Sequence, residues 1–204
     1  MTNLLKSGII TKGNIVMIKK PMFLFPQDKD DAKEKPYLTE YTGLESLQEP
    51  MISHYIDCMC NYTLKFNGKI MVMTSFVDDE GLLNGSKPNF YGKLILNLLL
   101  YLHFMTNENK SSFKGKDAPD IFNTIKKDKE YFRKVLEQCV TGTGIQSPFG
   151  AVCLVSSKQN KYYEIENDCL SNEEIELIEN ILKEVEPYTE NLIKLFDKTF
   201  KKQI

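Results

Sequence analysis

The run Pro88–Met105, PNFYGKLILNLLLYLHFM, limits what this chain can fold into more than any other stretch. Phe90, Tyr91, Leu94, Ile95, Leu96, Leu98, Leu99, Leu100, Tyr101, Leu102, Phe104 and Met105 fill nearly every angular position of a helix, and only Lys93, Asn97 and His103 interrupt them. A helix that is apolar all round is covered on several sides. The apolar stretch is short of the about 20 residues that a membrane span needs, and Lys93 and Asn107–Asn109 bound it. With Ser86 as a cap and Pro88 in the first turn, the expectation is a buried central helix over 88–106.

The rest of the chain must supply the cover. Asn67-Gly68 lies between Tyr62–Phe66 and Ile70–Val77, and both turn residues take positive φ cheaply, so a type I′ hairpin is expected there. It sets Leu64 beside Met71 and Tyr62 beside Met73. A second hairpin is read over Ser7–Lys20 around Gly13-Asn14, with Met22–Phe25 as a following strand. Gln27–Pro36 reads as a charged, solvated loop. Tyr37–Cys60 fits two periods. Met51, Ile52, Tyr55, Ile56, Met59 and Cys60 make a helical stripe after Pro50, whereas Ile52, Ile56, Cys58, Cys60, Tyr62, Leu64 and Phe66 alternate as in a strand; the Pro50 start favours helix to about Cys60 and strand from Asn61.

Downstream, Asp117 and Pro119 open a helix expected to run to about Val140, where Gly142 and Gly144 stop it. Gly150–Ser156 reads as a buried strand and Tyr162–Glu166 as its return. Ser171-Asn-Glu-Glu174 is a capping box, and Pro187 divides two amphipathic stripes. Antiparallel hairpins with clustered helices mean an α+β fold: a mainly antiparallel hairpin sheet around the central helix, with C-terminal amphipathic helices. The 204 residues are read as one domain, with 171–204 as a helical segment suited to assembly.

Chemistry is sparse. Arg133 is the sole arginine among 26 basic residues, which removes the bidentate fork that sequence-specific nucleic-acid readers use. This lysine-rich style fits a low-GC bacterium or a phage. The five cysteines are odd in number, and Cys58-Met-Cys60 has no second pair at metal-site spacing, so free thiols in a cytoplasmic protein are expected, with no metal and no cofactor. On a 50–60 helix, His54 and Cys58 share a face beside Asp57, the ingredients of a thiolate nucleophile. Ser147 is a further catalytic candidate, although it lacks a strand–elbow–helix context. Asp78-Asp79-Glu80 reads as a solvated strand exit.

Two charged zones stand out. Lys114, Lys116, Lys126, Lys127, Arg133 and Lys134 lie among aromatics, the mix of a non-specific nucleic-acid surface, though Asp120, Asp128 and Glu130 dilute it. Residues 164–190 carry ten acids against Lys183 alone. From them Glu173, Glu176 and Glu179, with Leu192, Phe196 and Phe200 of the final stripe, are taken as a partner-binding surface. The favoured reading is a non-enzymatic protein–protein interaction protein, such as an accessory subunit, adaptor or inhibitor, that binds another protein or itself and no membrane. The alternatives are a hydrolase-type enzyme with a cryptic His/Cys site and a weak nucleic-acid binder.

Overall fold

The computed structural model describes residues 9–12, 15–28, 33–51, 56–81, 83, 85–108, 111–142, 147–159 and 165–200. The fold is α+β, with strands β1 (Ile9–Lys12), β2 (Ile15–Ile18), β3 (Lys20–Phe25), β4 (Tyr37–Tyr41), β5 (Ile56–Phe66), β6 (Lys69–Asp78), β7 (Val152–Gln159) and β8 (Ile165–Asp168). The helices are α1 (Gln48–Met51), α2 (Phe90–Asn107), α3 (Ala118–Ile125), α4 (Lys129–Thr141), α5 (Asn172–Val185) and α6 (Thr189–Phe200). β1 and β2 pair antiparallel, Ile9 against Ile18. The main sheet has the order β4-β3-β7-β6-β5, with β8 also on β7, and its recorded pairings are antiparallel. Among the described residues no helix is long and apolar enough to cross a membrane.

The chain forms two compact units and passes between them inside β5 and β6 and near residues 89, 147 and 171. Unit 1 holds residues 1–61, 72–89 and 148–171. Its core joins Met22, Leu24, Tyr41, Leu47, Met51, Phe76, Ala151, Cys153 and Val155. Phe23, Phe25, Val152 and Leu154 alternate with these and are also buried, so β3 and β7 are covered on both faces, as their unbroken apolar sequence requires. Pro21 lies within β3 opposite Glu40; pairing of β3 with β7 begins only at Phe23, so the missing N–H costs no ladder bond on that side. Asn89, 1% exposed, ties unit 1 together: its side-chain amide donates to the carbonyls of Phe25, Pro26 and Gly150 at 3.1, 2.9 and 2.8 Å.

Two expectations fail in unit 1. Residues 56–60 are strand rather than helix, because β5 runs unbroken into the Asn67-Gly68 turn and pairs with β6 along the hairpin. The side-chain bonds Thr74–Asn61 and Ser75–Cys60 fit the register that this turn sets. Asn67 and Gly68 both have positive φ, 48° and 79°. The Gln27–Pro36 stretch is not wholly solvated either, since Asp28 is 2% exposed and Lys33 pairs with it at 3.3 Å.

Unit 2 holds residues 62–71, 90–147 and 172–204. α2 is its axis, with α3, α4 and α6 against it. Phe90 meets Phe196 edge-on at 5.4 Å, and Phe122, Phe132 and Tyr188 form a chain of edge contacts at 5.8 Å each. α2 is buried continuously from Phe90 to Leu99, but Phe104 is 46% exposed, so its last turns leave one apolar flank open. The helix expected over 117–140 is two helices. Asp128 caps α4, accepting the N–H groups of Glu130 and Tyr131, and its extended backbone separates α4 from α3. Pro187 sits in the 3-10 turn between α5 and α6.

Candidate functional site

Unit 2 contains a cleft of about 350 Å³ whose walls are two helix faces and a turn. On α5, Glu173, Glu176, Leu177 and Asn180 lie at spacings of three and four and therefore share one face. On α3, Pro119, Asp120 and Asn123 line the opposite wall, with Asp117 just before the helix. Asn67 closes one end, and buried Phe66 and Leu177 supply the apolar floor. The alternate face of α5, with Ile178, Ile181 and Val185, is turned into the core, which forces the Glu face outward.

The lining holds four carboxylates, three carboxamides and no cation. Two of the groups are held in place. Asp117 does not cap α3; its carboxylate instead accepts the Gly68 N–H at 3.3 Å, with Lys65 at 3.9 Å. Asn67 Nδ2 donates to Glu173 Oε1 at 3.4 Å. Lys126 lies at the α5 end, donating to Asn180 at 3.4 Å and to Glu184 at 3.0 Å. A concave site lined by one sign of charge concentrates its field on a cation. Among the described residues no three acidic, His or Cys groups converge as a metal site would need. Carboxylates spread around a cleft suit a cation with several N–H donors better than a point ion.

Glu173 and Glu176 therefore fall on this cleft, while Glu179 lies outside its lining. Leu192, Phe196 and Phe200 do not form an outer surface. They are 1%, 1% and 9% exposed and are spent on the core of unit 2, because Phe196 stacks between Phe90 and Phe200. Residues 172–200 are thus part of unit 2.

Three of the six basic residues of the zone are paired with carboxylates of neighbouring residues. Arg133 pairs with Glu137 at 2.7 Å, Lys134 with Glu130 at 2.9 Å and Lys126 with Glu184 at 3.0 Å. Lys116 sits over the Phe113 ring at 5.1 Å. Lys114 and Lys127 are exposed.

Of the catalytic candidates, His54 lies outside the described residues. Cys58 is exposed on β5, so the helical face that would have joined it to His54 and Asp57 does not form. Partial desolvation by the surrounding chain, then Asp57 and Cys60, push its thiol up, away from a thiolate. Asp78 bonds the Glu80 N–H at 3.1 Å within a turn. Ser147 is the exception: Lys93 Nζ lies 2.6 Å from its Oγ. Lys93 is 3% exposed, and burial pulls its ammonium below the ordinary range, against a smaller opposing effect of Cys139. Asn97, one turn on, donates to the carbonyls of Lys93 and Cys139 at 2.7 and 3.3 Å. In the sequence Lys93 and Asn97 registered only as interruptions of an apolar run; a lysine inside such a run was the signal.

Comparison with family models, curated proteins and solved structures found no match.

Proposed function

We propose that this protein is an interaction module that binds a basic segment of a partner protein, seating an Arg or Lys side chain in the cleft between α3 and α5. The observation that carries this reading is the lining itself: Asp117, Asp120, Glu173 and Glu176 face one cavity with no cation among the lining residues. The apolar floor of Phe66 and Leu177 suits the methylene stem of such a side chain, and the rim carboxylates suit its charged head. Arg is the better fit, because its planar fork can engage two carboxylates together.

The test is a nuclear magnetic resonance titration of the full chain with acetyl-tetra-arginine amide. The side-chain amides of Asn67, Asn123 and Asn180 should shift together and saturate, and the shifts should weaken with salt. The double variant Glu173→Gln, Glu176→Gln should lose saturation while keeping its helical circular dichroism. Non-saturating shifts spread over the surface, or equal affinity in the variant, would remove the proposal.

A further inference from the structure

Lys93 on α2 presents an unusual balance of donors and acceptors. Its Nζ meets Ser147 Oγ at 2.6 Å and Gly142 O at 3.4 Å, and it stands over the Phe200 ring at 5.4 Å from the centroid. No carboxylate among the described residues lies within ion-pair distance of it. A buried ammonium without a counter-charge is strongly disfavoured. A neutral amine has two N–H donors and one lone pair. In the structure Nζ donates to Ser147 Oγ and Gly142 O and faces the Phe200 ring; once the amine is neutral, its lone pair can turn to the Ser147 hydroxyl at the same short distance and receive its proton. Ser147 itself is only half-buried, so reagents can approach it.

We propose that Ser147 is a nucleophile with Lys93 as its general base, acting on carboxylic esters by acyl transfer. The Ser147 proton passes to Nζ as Oγ bonds to the carbonyl carbon. The tetrahedral intermediate then expels the alcohol oxygen, which takes the proton back from the Lys93 ammonium and leaves an acyl-serine. Water attacks the acyl carbon, giving its proton to Lys93, and Oγ departs as the hydroxyl on recovering it. The net reaction is ester plus water to acid plus alcohol. An elbow nucleophile takes one oxyanion donor from the next amide; here the next residue is Pro148, which has no N–H. Turnover is therefore slow, and the covalent adduct is the sensitive readout. This activity is independent of the α3–α5 cleft.

The experiment treats the full chain with p-nitrophenyl acetate and, separately, with an alkyl fluorophosphonate, whose fluoride leaves as the Ser147 O–P bond forms. Peptide mass spectrometry locates the adducts. Both probes should modify Ser147, and Ser147→Ala should abolish this modification. Lys93→Met should slow it at least about 100-fold, the lower range of general-base catalysis. Should Lys93→Met fold poorly by circular dichroism, the wild-type profile decides: labelling should rise with pH through one deprotonation below the ordinary lysine range. Failure of either probe to modify Ser147 between about pH 6 and 10, a folded Lys93→Met that labels as fast as wild type, or a flat pH profile would overturn the proposal.

Discussion

His103 Nδ1 accepts the backbone N–H of Thr63 at 3.0 Å, and Asn107 Nδ2, one turn further along α2, donates to Thr63 O at 3.0 Å. Thr63 lies on β5, the edge of the sheet, so two side chains of a helix stand where the next strand's backbone would be. The imidazole acts as acceptor in the tautomer with its proton on Nε2. Edges left open invite pairing with other chains, and covering one with a helix is a common remedy.

Replacing His103 by Ala should therefore do more than lower stability by about 1 kcal/mol, the usual scale for a lost partner of a backbone group. The Thr63 amide should exchange with solvent much faster, while the amides at the centre of α2 stay protected. Hydrogen exchange read residue by residue checks this, and unchanged protection at Thr63 would show that the contact contributes nothing.

Asp117 and Asp128 both precede helices, yet only Asp128 makes cap bonds. Asp128→Ala should cost about 1 kcal/mol through α4, as N-cap losses do. Asp117→Ala should leave the first turn of α3 as protected as before and instead loosen the Gly68 amide that the carboxylate holds. Thermal melts combined with exchange at Gly68 and Glu130 separate the two.

Lys93 makes a signed prediction for pH. Its folded pKa is depressed below 10.5, so between the folded value and 10.5 the unfolded chain binds more protons than the folded one. Stability contributed by this group rises with pH through that window and is flat above it. Cys139 works in the opposite sense: burial pushes its thiol up from 9.0 to about 12, so its contribution falls as pH rises above 9.0. Subtracting the denaturation curves of Lys93→Met from those of wild type isolates the lysine, and the difference should grow in favour of wild type as pH rises toward 10.5. Equal slopes would mean that Lys93 stays charged when folded.

The five thiols are free and should fall into classes. Cys58 is exposed and should react first with a disulfide reagent, with a rate that climbs into the alkaline range because its thiol is shifted upward. Cys139 and Cys153 are buried and should react only as fast as the chain opens. Rapid modification of all five at neutral pH would contradict this packing.

Local physics made several elements readable in advance. Asn67-Gly68 sets a two-residue turn wherever its flanks can pair, because those two residues accept positive φ at little cost. Pro187 breaks the last helical stripe at its own position for want of an N–H and room for its ring. The density of apolar residues over 90–107 requires a core helix, and the run of hairpins beside clustered helices requires an α+β fold. What local physics left open are choices between equally good local states. Residues 56–60 satisfy both a helical and a strand period, and only pairing with β6 selects the strand. Asp117 and Asp128 are equally good caps on paper, and the approach of the β5–β6 turn draws Asp117 away. Ser147, Glu173 and Glu176 were legible as candidates, but the groups they meet were not. Lys93 and Ser147 are 54 residues apart in the chain, and the acidic cleft takes its walls from segments near 67, 120 and 176. Side chains so distant in sequence meet only because burying the apolar faces of α2, α3, α4 and α5 fixes where their polar faces end up.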